Sequence, residues 1–190
     1  MDAISAIRSR RAVRVFEDRP VDRSTIAAII EDAAHAPFTP LSKDGTWLFV
    51  VIEGRERVAS YGARALAFAR ENRPQSAGYE WTDRPGFSVF HGAPAAVIIA
   101  GREAVRVALE ECTRAGQILE IAAHARGLGT CWVGSPMLWL GDPAVRRELD
   151  LPEAWRPFAA FAIGHPALSI VATTPVAERP PVRTIWHGSN

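Results

Sequence analysis

The sequence predicts a single domain of mixed helices and strands, and three observations support this prediction. The chain has 190 residues, enough to bury a substantial core without disulfides or metals. Apolar residues recur at steps of three and four in several stretches, as on the buried face of a helix. Continuous apolar runs typical of buried strands lie between these stretches. We find no repeat and no linker, so residues 1–190 are expected to fold as one domain.

Helices and strands alternate along the chain in the predicted order of elements. Helices are predicted over residues 3–7, 23–36, 55–73, 104–126 and 143–149, with Asp2, Asp22 and Asp142 as N-caps. Strands are predicted over residues 47–53, 95–101, 130–133 and 158–164. Residues 74–94 lack a regular pattern, and their aromatic side chains either line a pocket or pack beneath the loop.

The helix predicted over residues 104–126 organises the rest of the chain. Its buried face consists mostly of small residues, so another backbone can approach it closely. Gly127 stands where a left-handed helix cap is expected, and Leu128 is the apolar residue that packs back on the last turn. The strand that follows ends in Gly134-Ser135-Pro136, where backbone N–H groups can face a ligand.

Composition narrows the class of protein. The 22 basic and 21 acidic residues give a formal net charge of +1, which does not favour nucleic acid or an anionic membrane as a partner. Cys112 and Cys131 form no Cys-x-x-Cys motif, which fits a reducing compartment. No apolar run reaches the roughly 20 residues of a membrane span, and the N-terminus lacks a signal-peptide pattern. We therefore expect a cytoplasmic protein.

Four arginines lie within seven residues near the N-terminus: Arg8, Arg10, Arg11 and Arg14. The apolar residues Val13, Val15 and Phe16 are interleaved with them, which predicts an extended segment with apolar side chains inward and guanidinium groups on the other side. A guanidinium fork can bind phosphate through two parallel hydrogen bonds. A solvated basic surface produces the same pattern, so this run alone leaves both interpretations open.

Several kinds of chemistry are excluded by the motifs. The chain has no phosphate-binding P-loop, and Gly127 and Gly129 follow a helix where a Rossmann fingerprint would open one. No spacing of Cys and His argues for zinc, and Ser42 and Ser135 lack a nucleophile elbow. The scattered histidines are expected to be surface or packed residues: His35, His91, His124, His165 and His187. The protein therefore either binds a ligand only or takes its chemistry from a cofactor.

Three separated stretches together resemble the FMN-dependent nitroreductase family. They are Arg10-Arg11-Ala12-Val13-Arg14-Val15-Phe16, Gly127-Leu128-Gly129-Thr130-Cys131-Trp132-Val133-Gly134 and Arg179-Pro180-Pro181. The resemblance implies an α+β fold with a central, mostly antiparallel sheet flanked by helices. It also implies an intertwined homodimer with FMN at the subunit interface, in which the C-terminal tail, residues 167–190, reaches across the partner.

The resemblance also implies roles for individual residues. Arg10 and Arg179 would hold the FMN phosphate, Arg11 and Ala12 would line the ribityl chain, and Arg14 would stabilise charge at the pyrimidine edge of the ring. Backbone contacts around flavin N5 would come from Trp132, Val133, Gly134 and Ser135. No catalytic side chain and no metal are expected, because the flavin carries the chemistry.

The chain departs from the family pattern in two places. Ala12 stands where many members have serine, so one polar contact to the cofactor is lost. The loop before Trp47 lacks the Asn and Gln that usually face the flavin. Lys43 is the candidate to replace one of them as a cationic donor, and Asn72 is a candidate to face the flavin pyrimidine from the helix that follows.

The implied activity is reduction of nitroaromatics, quinones or similar electron-poor small molecules, with NAD(P)H as reductant and a ping-pong mechanism. One alternative is a flavin-binding protein with little turnover, a sensor or storage module, in which the altered loop blocks the nicotinamide site. Another is a family member with specialised flavin chemistry. A nucleic-acid-binding module built on Arg8–Arg14 is the fourth hypothesis, which the near-zero net charge disfavours.

Overall fold

The structure, a computed structural model, describes residues 1–39, 46–74, 78–167 and 181–187. The helices within these residues are α1 (Ala3–Ser9), α2 (Arg23–Ala33), α3 (Arg55–Asn72), α4 (Ala108–Ala125), α5 (Met137–Leu140) and α6 (Pro143–Glu148). The strands are β1 (Leu48–Glu53), β2 (Ala95–Arg102), β3 (Gly129–Trp132) and β4 (Trp155–Gly164). A 3₁₀ turn, Glu80–Asp83, lies in the long connection between α3 and β2.

The four strands form one antiparallel sheet in the order β1-β2-β4-β3. Alternate residues of the central strand β2 enter two apolar clusters on opposite faces of the sheet. Ile99 packs with Ile29 of α2 and Leu119 of α4 on one face. Ile98 belongs with Val58 of α3 to the cluster on the other face. The predicted α+β class, an antiparallel sheet flanked by helices, is confirmed.

Two of the three predicted helix caps are made by side chains. The Asp2 carboxylate accepts the Ser5 amide at 3.0 Å at the start of α1, and Asp142 accepts the Ala144 amide at 2.8 Å at the start of α6. Asp22 makes no side-chain cap in the described part of the chain, although its backbone carbonyl does accept the first amides of α2. α2 also ends at Ala33, before the predicted end.

The long helix α4 begins at Ala108, four residues later than predicted. The residues before it form two tight turns, because the Val105 amide donates to the Arg102 carbonyl and the Ala108 amide to the Val105 carbonyl, each at 3.0 Å. These bonds span three residues, so they do not continue an α-helix. The apolar spacing extends into this stretch, which is why the pattern alone placed the start too early.

The small-residue face and the cap predicted for α4 are confirmed. A Cβ on Gly116 would lie 2.5 Å from the Phe161 ring, so only glycine lets α4 approach β4 at this point. Gly127 has a φ of 76°, the left-handed conformation expected at the cap. The amide of buried Leu128 donates to the Ala123 carbonyl at 3.0 Å, which completes the cap.

Two strands of the sheet, β3 and β4, differ slightly from their predicted bounds. β3 covers Gly129–Trp132, one residue earlier than predicted. β4 begins at Trp155, three residues before the predicted start at Phe158. Pro157 is tolerated because it pairs with Ala100 where the register between β2 and β4 shifts.

The N-terminal segment, residues 10–16, runs beside the sheet without forming a regular strand. Ala12 makes a single parallel bridge to Thr130, and Phe16 makes an antiparallel bridge to Pro166. Phe16 and Val13 are buried as predicted, but Val15 is exposed, so its predicted inward direction is wrong. Residues 13 and 16 cannot both face inward in an unbroken strand of period two, and the segment therefore bends between its two bridges.

Near the C-terminus, residues 181–187 carry large apolar side chains in contact with water. Val182, Ile185 and Trp186 are each more than four-fifths exposed.

No helix in the described ranges combines the length and the apolar character that crossing a membrane requires.

Candidate functional site

Backbone contacts hold the N-terminal segment against the end of β3. The Val13 amide donates to the Thr130 carbonyl at 2.8 Å. Gly129 allows this approach, because a Cβ there would lie 2.7 Å from the Val13 side chain. The segment thereby carries Arg10 to α4 and Arg14 to the cavity at the end of β3.

A polar cluster, Ser9, Arg10, Glu120, His124 and Thr130, lies between α1, α4 and β3. Glu120 is almost fully buried, and its Oε1 accepts from Arg10 Nη1 at 3.3 Å and from Thr130 Oγ1 at 3.2 Å. The Ser9 hydroxyl and His124 Nε2 share a hydrogen bond of 2.8 Å. A buried carboxylate with two partners fixes the direction of the arginine that it binds.

Two groups of the cluster have shifted pKa values. Burial raises the pKa of the Glu120 carboxyl, while the Arg10 charge and the Thr130 hydrogen bond act in the opposite direction. Burial also lowers the pKa of His124, and the positive charges of Arg10 and Arg11 lower it further. Arg10 has five N–H donors, of which one is given to Glu120. Such a half-buried guanidinium is suited to binding an anion.

A cavity of about 510 Å³ lies at the end of β3, a volume in the range of small-molecule sites. Its strand side consists of Arg14, residues 131–135, Met137 and Leu138. Its loop side consists of Gly78, Tyr79, Trp81, Phe87 and His91 from the connection between α3 and β2. Most of the lining is apolar or aromatic, and polar groups are few, as expected for a site that takes a flat ligand.

On the strand side the backbone leaves the sheet. The Val133 amide donates to the Ala160 carbonyl at 2.9 Å and is therefore committed to the sheet. At the next residue, Gly134, a Cβ would have no heavy atom within 4 Å, so the backbone there faces open space. Trp132 rests against Phe161 with 5.3 Å between ring centroids, and 40% of it stays exposed. A flat ligand can thus approach the chain closely at residues 134 and 135.

The loop side is held in place by two arginines of the α3 end. Arg70 Nε donates to the Thr82 carbonyl at 2.9 Å, and Arg73 binds both the Thr82 hydroxyl and the Asp83 carboxylate. Thr82 is fully buried. These bonds fix the 3₁₀ turn, so the aromatic side chains before and after it are presented from an anchored loop.

The aromatic side chains of the loop side contact one another in a row. The centroid of Trp81 lies 6.2 Å from that of Tyr79 and 5.1 Å from that of Phe87. Phe87 meets His91 edge to face at 6.5 Å. Both outcomes considered for residues 74–94 therefore occur: three aromatic residues line the cavity, while Phe90 is buried in the core.

Two titratable side chains of the cavity have shifted pKa values. Burial raises the pKa of the Cys131 thiol, and the nearby Arg14 charge only partly opposes this shift. The thiol therefore stays protonated and is not an activated nucleophile. Burial lowers the pKa of His91, and the positive charge of Arg14 lowers it further. Around neutral pH the His91 imidazole is mostly uncharged.

The structure brings some of the predicted site residues together. Arg14 and the run Trp132, Val133, Gly134 and Ser135 line one cavity, while Arg10 joins the polar cluster. Arg11 and Ala12 are exposed between them. Asn72 is exposed outside the cavity lining, and its amide donates to the Phe68 carbonyl at 2.9 Å. Lys43 and Arg179 lie outside the described residues.

Sequence reasoning missed three residues of this site. A signal existed for Glu120, because a glutamate on the small apolar face of α4 needs a buried partner. Thr130 offers no such signal, since threonine is common in strands. His91 was expected to be a surface or packed histidine, and its place in the cavity depends on the path of the loop.

Comparisons with known proteins agree with this geometry. The model of the nitroreductase family matches residues 7–165. A "Putative NADH dehydrogenase/NAD(P)H nitroreductase" of Methanothermobacter thermautotrophicus is 28% identical over 171 residues, which cover 88% of this chain and 78% of that protein. The match to the family model spans the N-terminal segment, the sheet and the cavity.

Solved structures share the fold. A nitroreductase of Bacteroides fragilis, crystallised with bound FMN, superposes with a TM-score of 0.81 at 22% identity and covers 98% of this chain and 100% of its own. The FMN and NADPH-dependent nitroreductase NfnB of a Sphigopyxis strain has a TM-score of 0.76 at 21% identity and covers 99% and 100%. Together with the family match over most of the chain, the fold and site establish that this protein belongs to the nitroreductase family.

Proposed function

We propose that this protein is an FMN-dependent NAD(P)H oxidoreductase that reduces nitroaromatics, quinones or similar electron-poor small molecules. The observation that carries the proposal is the cavity at the end of β3, whose lining contains both Arg14 and the open backbone of Gly134. Family membership supports it, as does the FMN bound to the Bacteroides fragilis relative.

The described residues fit FMN in shape and in charge. The open backbone at Gly134 leaves space for a flat ring, and a side chain there would enter that space. Arg10, only 22% exposed and fixed by Glu120, offers a positive charge for a phosphate. Arg14 lies at the strand side of the cavity, and in the sequence it stands between Arg10 and Gly134. FMN would supply the centre that accepts and delivers hydride.

Each candidate residue has a role in binding the proposed FMN. Arg10, together with Arg179 from the C-terminal tail, binds the phosphate, and exposed Arg11 and Ala12 line the ribityl chain. Arg14 stabilises negative charge at the pyrimidine edge, which favours two-electron chemistry. The Gly134 and Ser135 amides contact the ring near N5, and Trp132 borders it. Lys43 and Asn72 remain candidates for further polar contacts.

We further propose a ping-pong cycle, in which one cleft serves the nicotinamide and then the acceptor. The aromatic loop side of the cavity supports this order, because the nicotinamide and the acceptor are planar molecules that would stack in the same place. Parallel lines in double-reciprocal plots of initial rates are expected when both substrates are varied. Intersecting lines would show that both substrates bind together and would reject the ping-pong order.

The proposed assembly is a homodimer in which residues 167–190 cross the partner. Large apolar side chains exposed on α1 and α4, Ile4, Ile7 and Leu109, would be covered by it. Val182, Ile185 and Trp186 of the tail would likewise find a surface to pack against. Sedimentation analysis is expected to give twice the mass of one chain.

The experiment that tests the proposed function is an absorbance spectrum of the purified protein before and after anaerobic addition of NADH and then NADPH. Flavin absorbance that bleaches with either nucleotide, and returns when a quinone is added, is the expected result. Bound flavin that neither nucleotide bleaches would favour a flavin-binding protein with little turnover. A protein that takes up no FMN on reconstitution would contradict the proposal.

A further inference from the structure

His91 has a backbone conformation that is uncommon for a residue other than glycine. Its φ is 55°, in the left-handed region, and the following Gly92 has a φ of 67°. The Ser88 carbonyl accepts the His91 amide at 3.2 Å, and the Ser88 hydroxyl accepts the Gly92 amide at 3.2 Å, so the turn is held. Glycine or asparagine would adopt this conformation more readily. Such an outlier points to a use for the side chain.

The imidazole of His91 ends the aromatic row on the loop side of the cavity. It is half-buried, and its ring meets Phe87 edge to face. Trp81 and Tyr79 continue the row. A planar aromatic molecule lying along these rings would have the imidazole of His91 at one edge and the Tyr79 ring at the other.

His91 is also the side chain of the cavity best suited to exchange a proton near neutral pH. The other titratable or charged groups in the described lining are Arg14, Tyr79 and Cys131, and the Arg55 guanidinium lies beside Gly92. Arginine does not release its proton, and the Cys131 thiol is held protonated by burial. Imidazole is the group whose ordinary pKa lies nearest to neutral.

We propose that His91 donates a hydrogen bond and then a proton to the oxygen of an aromatic electron acceptor bound along the loop side of the cavity. This inference rests on the proposed function, because it assigns a catalytic residue to the second half of the same cycle. It also defines the preferred acceptor: a planar aromatic molecule that carries a carbonyl or nitro oxygen at its edge.

The step balances for a quinone. The quinone gains a hydride, which consists of two electrons and one proton. NAD(P)H is the source of this hydride, through the reduced cofactor. One of its oxygens becomes an anion, and the imidazolium N–H bond of His91 breaks as the O–H bond forms. The products are the hydroquinone and neutral imidazole, which solvent reprotonates.

The direction of the pH dependence follows from the surroundings of His91. Burial and the Arg14 charge lower the pKa of His91, so the imidazolium loses its proton at a lower pH than the ordinary value of 6.5. The rate of acceptor reduction is therefore expected to fall as the pH rises through this lowered value. Glu120 and His124 of the polar cluster also have shifted pKa values, so loss of the inflection in His91 variants is what assigns it to His91.

The test separates the two half-reactions by stopped flow. His91→Gln keeps an N–H donor but cannot deliver a proton, and His91→Phe removes both abilities. Reduction by NAD(P)H should change much less than reoxidation by menadione in both variants, because hydride transfer from the nicotinamide requires no proton from His91. Oxidation by menadione should slow about 100-fold in both variants at the pH where the wild type is fastest, and the inflection with pH should disappear. His35→Gln, on the surface, is the matched control and should behave as wild type.

A binding measurement without turnover provides an independent readout. Acetophenone, a flat aromatic ketone that the cycle does not reduce, is titrated into the oxidised protein. His91→Phe should weaken its binding about fivefold, as expected for one lost hydrogen bond, while His91→Gln should bind it nearly as the wild type does.

The outcomes are distinguishable. Normal reduction by NAD(P)H, with unchanged menadione kinetics and an unchanged pH profile in His91→Gln, would overturn the role of His91 and leave the proposed function intact. Failure of NAD(P)H to reduce the wild-type protein would overturn both. Equal acetophenone binding in the Phe variant and the wild type would contradict the hydrogen bond to the acceptor.

Discussion

The two ends of the candidate site differ in the residues that form them and in the elements that carry those residues. The polar cluster consists of charged side chains fixed by a helix and a strand, with Glu120 buried between Arg10 and Thr130. The loop side of the cavity consists of aromatic rings on a connection that Arg70 and Arg73 anchor. Rigid elements suit a cofactor that stays in place, whereas loops vary with the molecule that must be recognised.

This difference predicts that substitutions at the two ends have separable effects. Changes in the polar cluster should alter the affinity for the cofactor. Changes on the loop side should alter acceptor reduction and leave cofactor affinity nearly unchanged. The Arg10, Gly134 and Glu120 variants test the cofactor side of this division, from the largest effect to the smallest, and the His91 variants test the loop side.

Arg10→Gln should weaken FMN binding about 30-fold, because it removes a charge-assisted contact to the phosphate and keeps an amide that can still donate to Glu120. The dissociation constant is measured by quenching of flavin fluorescence. Arg23→Ala is the control, since Arg23 forms an exposed ion pair with Glu53 and neither residue belongs to the polar cluster. Retention of wild-type affinity by Arg10→Gln would remove Arg10 from the phosphate site.

Gly134→Ala should weaken FMN binding about tenfold with little change in the free energy of unfolding, because its Cβ would occupy open space beside the cavity. Gly127→Ala is the matched comparison. Gly127 has a positive φ and no cavity contact, so this variant should lose about 1 kcal/mol of stability and bind FMN normally. If both variants behaved alike, the open backbone at Gly134 would have no special role.

Glu120→Gln should make stability less dependent on pH. Burial raises the pKa of Glu120 above its ordinary value of 4.5 in the folded state, so the folded protein holds this proton more tightly than the unfolded chain. The free energy of unfolding of the wild type should therefore fall, relative to the variant, as the pH rises from about that ordinary value toward the raised one. Urea unfolding at several pH values measures this. If the free energies of unfolding of the two proteins changed in parallel with pH, or if the wild type gained stability relative to the variant, burial would not be raising the pKa of Glu120.

The sequence predicted the scaffold better than the loop side because local chemistry determines it. Gly127 could be identified as a cap since a left-handed residue followed by an apolar one has a recognisable pattern. The run from Trp132 to Ser135 could be placed at a strand end for a similar reason. Val15 was misplaced because alternation was extended across a bend that depends on two distant bridges.

The loop side could be anticipated only in part. Its aromatic composition suggested a pocket, but which rings line it depends on how Arg70 and Arg73 fold the 3₁₀ turn. His91 could not be selected from five scattered histidines, since its role depends on a positive φ and on proximity to Arg14. Long-range placement of this kind leaves no periodic signal in a single sequence.

The most direct test of the division between a charged cofactor end and an aromatic acceptor end is a fluorescence titration of the apo protein with FMN and, separately, with riboflavin. The two ligands share the ring and the ribityl chain and differ only in the phosphate. If the polar cluster binds the phosphate, FMN should bind about 100-fold more tightly than riboflavin. Equal affinities would mean that this end of the site does not recognise phosphate, and they would contradict the proposed orientation of the cofactor.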